Sequence, residues 1–175
     1  MADVPDGIVL KRHRDLEGMR KTLWPRRVLV GATVAFALLG LANVFGQRPV
    51  TASADTAQAS LKLNAPDHLR GGLLFSARFH ITAHRDVKDA VLVLDQGWAE
   101  GMAINTIEPS PIGEASRNGK LSLDLGHIPA GRSYVLYMQF QANATNVAWR
   151  RPAGVTLLDG STRLLDIDRK VTVYP

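Results

Sequence analysis

The segment LLFSARFHITA, residues 73–83, decides the fold class because its apolar and polar residues alternate with a period of two. One face carries Phe75, Ala77, Phe79, Ile81 and Ala83. The other face carries Ser76, Arg78, His80 and Thr82. Successive side chains of a β-strand point to opposite faces of its sheet. The segment therefore predicts a strand with one buried face and one face in water.

Further strand candidates are short runs of apolar, β-branched or aromatic residues: 60–64, 90–94, 102–107, 121–125, 133–143, 155–158 and 164–173. Turn residues separate these runs, most clearly Asn118-Gly119 and Asp159-Gly160. Asn-Gly and Asp-Gly favour tight turns because these residue types tolerate a positive φ. Seven or eight short strands over residues 59–175 predict an antiparallel β-sandwich.

Two of the tryptophans, Trp98 and Trp149, fall outside the best-defined predicted strands. We expect each to lie in a loop that packs on an edge of the sandwich. Tryptophan and arginine are enriched in the contact sites of proteins. Because Arg150 and Arg151 follow Trp149 directly, residue type makes Trp98, Trp149, Arg150 and Arg151 the candidate partner-contact residues.

The segment VLVGATVAFALLGLANVF, residues 28–45, contains no charged residue. As a helix this segment is about 27 Å long, close to the hydrocarbon thickness of a bilayer. Its clearly polar members are Thr33 and Asn43; a threonine hydroxyl bonds back to the preceding turn, and Asn43 lies near the outer end. The segment predicts one transmembrane helix over residues 28–46.

Charge asymmetry predicts the orientation of this helix. The segment 1–27 holds seven Lys/Arg and four acids, whereas only Arg48 lies close to the other end of the helix. Basic residues favour the cytoplasmic side, and tryptophan favours the membrane interface. We therefore predict a cytoplasmic tail over 1–27, interface contacts from Trp24, Arg26 and Arg27, and an extracytoplasmic C-terminal domain at the plasma membrane.

Two other interpretations of the apolar segment stay open. A signal peptide is one, because Ala52-Ser53-Ala54 fits a small-x-small cleavage pattern after which the chain would be cut. Against it, both the segment 1–27 and the apolar run 28–45 exceed ordinary signal-peptide dimensions. The other is a core helix of a soluble protein, which is rarely so uniformly apolar. Residues 47–58, small and polar, are predicted to be a linker.

The composition of the chain excludes several kinds of functional site. The chain has no cysteine, which excludes disulfides, thiolate metal sites and cysteine nucleophiles. Of the net charge of +5, the segment 1–27 carries +3, so we predict no nucleic-acid partner. The recurrent hydrolase, phosphate-loop and zinc motifs are absent from the sequence. We therefore expect no enzyme activity, no metal and no cofactor.

The remaining polar pairs fit that expectation. In an extended strand His80 and His84 lie about 13 Å apart, too far to share one zinc ion. Asp166 and Asp168 share a face, with Arg163 and other basic residues nearby to pair with them. This arrangement is typical of a solvated surface of mixed charge, and Ca²⁺ needs more oxygen ligands than two carboxylates supply.

Four stretches carry a family resemblance: LDQGW at 94–98, IEPSP at 107–111, LGHIPAG at 125–131 and RKVTVYP at 169–175. They are similar to a family of single-pass actinobacterial envelope proteins of uncharacterised function. Their outer domain resembles the immunoglobulin-like repeat domains of surface-layer and adhesion proteins. The resemblance implies an all-β, immunoglobulin-like sandwich of seven or eight antiparallel strands after one transmembrane helix, and it supplies no catalytic residues.

These predictions favour a membrane-anchored module that binds another membrane or envelope protein. A first alternative is a domain that binds or acts on a cell-wall glycan or small molecule, which requires a concave pocket with converging polar groups. A second is a structural spacer without a dedicated ligand.

Overall fold

The computed structural model describes residues 20–42, 44 and 46–175. Two compact units make up the chain, Met1–Phe45 and Gly46–Pro175. Most of the predicted basic tail, residues 1–19, lies outside the described residues, as do Asn43 and Phe45 of the predicted span.

The first unit contains helix α1, Arg20–Leu41. Within α1 the segment Leu23–Leu41 is long and apolar enough to cross a membrane, a property that signal sequences share. The Thr33 hydroxyl donates to the Leu29 carbonyl at 2.9 Å, as predicted, so its polar group is satisfied within the helix. The helix begins and ends earlier than the predicted range 28–46.

The second unit is built from strands that alternate with short turns. The strands are β1 (Pro49–Asp55), β2 (Ala59–Pro66), β3 (His68–Arg70), β4 (Leu74–Ala83), β5 (Val87–Leu94), β6 (Met102–Glu108), β7 (Gly113–Arg117), β8 (Lys120–Ile128), β9 (Ser133–Ala142), β10 (Ala148–Pro152), β11 (Val155–Asp159), β12 (Thr162–Ile167) and β13 (Lys170–Tyr174). A single turn of 3₁₀-helix, Gln96–Trp98, follows β5.

These strands form three sheets. The first sheet has the order β1-β2-β4-β9-β6, and the second sheet has the order β12-β11-β5-β8-β7. A small sheet has the order β10-β13-β3. Strand pairs are antiparallel in both large sheets, while β13 and β3 of the small sheet run parallel.

The hydrophobic core lies between the two large sheets. Along β4, exposed and buried residues alternate as the sequence predicts. The inward side chains of both sheets form one buried cluster, with Phe79 and Phe140 from the first sheet and Leu92 and Leu157 from the second. Complete burial of a leucine or phenylalanine contributes roughly 1.5–3 kcal/mol. This cluster therefore supplies the stability that disulfides supply in many small exported domains.

The predicted fold class is confirmed: the chain is an antiparallel immunoglobulin-like β-sandwich with one apolar helix before it. The part of the chain that the structure describes contains 13 strands rather than seven or eight. All eight predicted strand segments coincide with strands of the structure, although the predicted segment 164–173 is divided. Its first part is β12 of the second sheet, and its second part is β13 of the small sheet.

The predicted linker over residues 47–58 is wrong. Residues 49–55 form β1, which pairs with β2 in an unbroken register from Pro49↔Pro66 to Asp55↔Ser60. Small polar side chains hide this strand from a hydropathy pattern, because its pairing rests on backbone hydrogen bonds and on two small inward residues, Ala52 and Ala54. The compact unit accordingly begins at Gly46 and not at residue 59.

Candidate functional site

Trp149 lies on an edge strand of the small sheet. In β10, Ala148 pairs with Val173 and Arg151 pairs with Val171, and the register shifts between these two pairs. Ala148, Val171 and Val173 are buried, so they fix which side of the small sheet faces the core. The irregular segment of β10 carries Trp149 and Arg150, and both are exposed.

An aromatic and basic surface results on the outer side of the small sheet. The side chain of Trp149 is 76% exposed and that of Val147 is 62% exposed. Across the sheet, the rings of His68 and Tyr174 stack with centroids 5.9 Å apart and planes 9° apart. We name these residues, together with Arg150, the Trp149 face. Its aromatic rings are large apolar surfaces in contact with water, which is typical of contact sites.

The backbone beneath this face is fixed by polar contacts. Arg150 has a positive φ of 50°, and its backbone N–H donates to the Thr172 hydroxyl at 3.4 Å. Because Arg150 is not glycine, this conformation is strained and must be imposed by its surroundings. Trp149 is therefore presented from an ordered strand and not from a loose loop.

Arg151, a predicted contact residue, holds this strand in place instead. Its guanidinium donates to the Glu100 carbonyl at 2.6 Å and to the Asn146 side-chain oxygen at 3.2 Å. Asn146 in turn donates to the Gly101 carbonyl at 2.9 Å. Only 16% of the Arg151 side chain is exposed. These contacts make Arg151 a structural tether, and Trp149 and Arg150 remain as the exposed members of the predicted set.

The prediction that Trp98 contacts a partner is wrong, because Trp98 is 2% exposed. Its indole N–H donates to the Ala153 carbonyl at 2.9 Å, so the polar atom is satisfied inside the core. The ring lies 5.5 Å from the Phe79 ring and 5.4 Å from the Phe140 ring, measured between centroids. The edge-packing loop residue that the sequence predicts is in fact a central core residue.

Gly97 makes this insertion possible. A Cβ atom at Gly97 would lie 2.0 Å from the Pro152 carbonyl oxygen, a distance that no side chain tolerates. Glycine lets the 3₁₀ turn approach the end of β10 so closely that the next residue, Trp98, enters the core. The sequence Gly97-Trp98 is the local signal for this packing, and it is easily mistaken for an ordinary turn.

Arg169 covers the Trp98 ring and is itself buried. Its guanidinium carbon lies 5.1 Å from the centre of that ring, and its Nε–H donates to the Asp67 carboxylate at 2.7 Å. A terminal N–H donates to the Ala65 carbonyl at 3.2 Å and another contact joins it to Pro66. Burial lowers the pKa of Arg169, and the neighbouring Asp67 carboxylate opposes that shift. This ion pair closes the core next to Trp98 and is not available to a partner.

The predicted interface residues Trp24, Arg26 and Arg27 all lie in α1. The Trp24 side chain is 71% exposed, and the large apolar side chains that follow it along the helix are exposed as well. Whether these residues meet a membrane interface stays a prediction.

Other polar side chains form local pairs. His84 lies beyond the end of β4 and contacts the Asp55 carboxylate at 2.9 Å, and Arg163 pairs with Asp166, as the sequence predicts for a mixed-charge surface. Across the described ranges 20–42, 44 and 46–175, no three histidine or carboxylate side chains come together as metal ligands.

A second exposed surface escapes the sequence analysis. Lys62 of β2 lies directly opposite His80 of β4, and Arg78 lies two residues before His80. The alternation in β4 identifies Arg78 and His80 as outward-facing. The register that brings them beside Lys62 depends on how two strands pair, which the sequence does not specify.

No model of a protein family matches this chain. No curated protein matches it in sequence either.

Solved structures show similarity of fold. A non-cellulosomal cohesin from Archaeoglobus fulgidus is 11% identical, with 62% of this chain and 86% of that chain covered and a TM-score of 0.39. An immunoglobulin-like protein from Pseudomonas aeruginosa is 14% identical, with 63% and 80% covered and a TM-score of 0.30. A GH20 exo-β-N-acetylglucosaminidase from Vibrio harveyi is 13% identical, with 73% and 17% covered and a TM-score of 0.31.

At such identities and TM-scores these similarities carry no information about function, and β-sandwiches serve many unrelated functions. The geometry defines the class of protein, an immunoglobulin-like β-sandwich domain that follows an N-terminal apolar helix.

Proposed function

We propose that this chain is a non-enzymatic protein-interaction module of the cell envelope, anchored in the membrane by α1 and bound to its partner through the Trp149 face. The observation that supports it is the 76% exposed indole of Trp149 beside Val147 on an ordered sheet. Leaving a tryptophan ring in water forgoes the free energy of its burial, and a partner that covers it recovers that free energy. The proposal includes membership of the actinobacterial envelope family that the four sequence stretches resemble.

The exposure of α1 supports the anchor. Its side chains from Leu23 to Leu41 are exposed and mostly apolar on every side of the helix. A helix that is apolar all round requires an apolar environment, which a bilayer supplies. Arg26 and Arg27 at the start of this stretch favour a cytoplasmic N-terminus, so the sandwich lies outside the cytoplasm in this proposal.

Strand β1 supports an uncleaved anchor. Cleavage after Ala54 would remove all of β1 except its last residue, since β1 spans Pro49–Asp55. The cut strand pairs along its whole length with β2, so its loss would expose the backbone of β2. A signal peptide that ended there would damage the domain that it exports.

The short connection restricts the domain to the neighbourhood of the membrane. Only the segment 42–48 separates the end of α1 from the start of β1. A chain of this length reaches about 25 Å at most. Tethering at such a short distance raises the effective concentration of the domain toward other membrane and envelope proteins.

A glycan or small ligand bound in the core beside Trp98 would require a pocket there. Beside Trp98 the structure has a gap of only about 10 Å³, lined by Leu69, Phe75 and Met102 among others. Such a volume holds one water molecule at most. Exposed tryptophan is typical of the anchors of protein interfaces, so the Trp149 face favours a protein partner over a small ligand.

The test is site-specific crosslinking in intact cells. A photoreactive amino acid at position 147 is expected to capture one reproducible envelope protein, and Trp149→Ala is expected to reduce its yield at least tenfold. Ile112→Ala is the matched control, because Ile112 is an equally exposed apolar residue elsewhere, at 75% exposure. Equal loss in both variants, or no captured protein, contradicts the proposed contact surface; the second outcome is what a spacer predicts.

A further inference from the structure

Three basic side chains surround a shallow depression on the outer face of the first sheet. Its lining consists of Thr51, Lys62, Asn64, Arg78 and His80, and its volume is about 300 Å³. We name these five residues the basic depression. The strand register places Lys62 opposite His80, and Asn64 opposite both Arg78 and Thr51. Thus three neighbouring strands contribute to one concave polar surface, away from the small sheet that carries Trp149.

The basic side chains lack acidic partners. Among the described residues, no carboxylate lies within 4 Å of the Lys62 or Arg78 side-chain nitrogens, whereas six other basic residues form such pairs. Two carboxylates lie along the same face of the sheet. Asp55 pairs with His84, and Glu108 of β6 is separated from Arg78 by Tyr137 of β9. The depression therefore presents positive charge that the protein itself does not neutralise.

The geometry holds this charge in place. The Arg78 guanidinium lies over the Tyr137 ring, 4.7 Å from its centre, which limits its rotation. Asn64 donates one side-chain N–H to the Thr51 hydroxyl at 3.0 Å and retains a second N–H for another acceptor. Lys62 and Arg78 occupy diagonal positions on paired strands, within reach of each other's long side chains, so an anion between them would offset their repulsion. The donors of Lys62, Arg78 and Asn64 around one concavity match the oxygen atoms of a phosphate group.

We propose that the basic depression binds a phosphate group, carried either by a membrane lipid headgroup or by a soluble phosphate ester. Lys62 and Arg78 would neutralise the phosphate oxygens, while Asn64 and His80 would add hydrogen bonds. The lipid source rests on the proposed anchoring of α1, because a domain tethered to a bilayer meets headgroups at a raised effective concentration. The soluble source is independent of the anchor and of the Trp149 face.

The experiment uses the full-length, ¹⁵N-labelled protein in uncharged detergent micelles. Inorganic phosphate is titrated in one arm; in another arm, phosphatidylglycerol or phosphatidylcholine is mixed into the micelles. We expect saturable shifts of the Lys62, Arg78 and His80 resonances with phosphate, with phosphatidylglycerol, or with both. Response to both probes identifies the phosphate group itself as the ligand, response to phosphatidylglycerol alone identifies the lipid, and response to inorganic phosphate alone identifies a soluble source. Phosphatidylcholine carries the same phosphodiester with its charge balanced by choline, so an equal response to it would show that charge does not drive binding and would contradict the proposal.

Two paired variants distinguish a site from general electrostatic attraction. Lys62→Gln with Arg78→Gln is expected to weaken the affinity at least tenfold. Lys88→Gln with Arg132→Gln removes the same charge from two exposed positions elsewhere in the domain. This pair is expected to change the affinity less than twofold. Equal weakening in both pairs, or no saturable response to either probe in the unmodified protein, overturns the proposal. Because the crosslinking test concerns the Trp149 face, failure of that test leaves this result interpretable.

Discussion

Trp98 and Trp149 are the same residue type in one domain, but one is buried and the other is exposed. Trp98 is 2% exposed, and its N–H is bonded to a core carbonyl. Trp149 is 76% exposed on an edge strand. The difference comes from the backbone that each residue follows. Gly97 permits an approach that drives Trp98 inward, whereas the irregular register of β10 turns Trp149 outward. We infer that Trp98 contributes to stability and that Trp149 contributes to recognition.

Replacing Trp98 tests this division most directly. Trp98→Ala removes a ring that contacts Phe79, Phe140 and Arg169, and we expect it to lower the free energy of unfolding by about 3–5 kcal/mol. Trp98→Phe keeps an aromatic ring but leaves the Ala153 carbonyl without its donor, at a cost of about 1–3 kcal/mol. Urea denaturation of the full-length protein in detergent, followed by circular dichroism, measures both.

Trp149→Ala is the control for that experiment. Because its ring is exposed, we expect the free energy of unfolding to change by less than about 0.5 kcal/mol. If Trp149→Ala is as destabilising as Trp98→Ala, the exposed ring is part of the fold and the comparison fails.

Substitution of Asp67 tests how the core beside Trp98 tolerates the positive charge of Arg169. Asp67→Asn removes the carboxylate that compensates a guanidinium with 7% side-chain exposure. Loss of one partner of a buried pair is strongly destabilising. Because the Asp67 side chain is 33% exposed, water replaces part of its effect, and we expect a loss of about 1–3 kcal/mol in urea denaturation.

A second substitution separates charge from packing at this position. Arg169→Met in the Asp67→Asn background removes the uncompensated charge and keeps a long side chain over the Trp98 ring. We expect the double variant to regain at least half of the free energy of unfolding that Asp67→Asn loses. An additive loss in the double variant would mean that the carbonyl contacts of Arg169 matter more than its charge.

The strands that the sequence analysis misses share one property. β1, β3, β7 and β10 all lie at the edge of a sheet. An edge strand bonds on one side only and buries fewer side chains, so its alternation of apolar and polar residues is weak. The central strands β4 and β9 pair with a neighbouring strand on each side and bury one face, and their patterns predict them well. Burial, and not backbone conformation itself, is what the sequence pattern reports.

The division between β12 and β13 has a comparable cause. The sequence predicts one strand over 164–173, since apolar residues continue through it. In the structure Arg169, between the two strands, is buried against Trp98 and Asp67. A charged residue in such a run normally indicates the exposed face of a strand. The partner of Arg169, Asp67, lies 102 residues earlier in the chain, and a local sequence pattern does not reveal such a contact.

The candidate site is only partly predictable for the same reason. Of the four residues that residue type selects, Trp149 and Arg150 are exposed, whereas the side chains of Trp98 and Arg151 are used by the fold. The basic depression depends on the register of β1, β2 and β4, which joins residues 51–80 across three strands. Contacts between distant segments decide which polar or aromatic residue is free, and these arise only when the sheets assemble.

Tyr134 lies between the two tryptophans in exposure and gives the smallest predicted effect. It is half-buried and packs against the core, and burial raises the pKa of its phenol above the ordinary value of 10.0. The unfolded chain therefore loses this proton first as the pH rises. The stabilising contribution is complete below pH about 10 and is lost as the pH rises through the folded-state pKa. We expect the urea midpoint to fall between pH 8.5 and pH 11, and to fall less in Tyr134→Phe, which has no phenolic proton. If both proteins lose the same stability over this pH range, partial burial of the Tyr134 phenol at the margin of the core has no measurable electrostatic consequence.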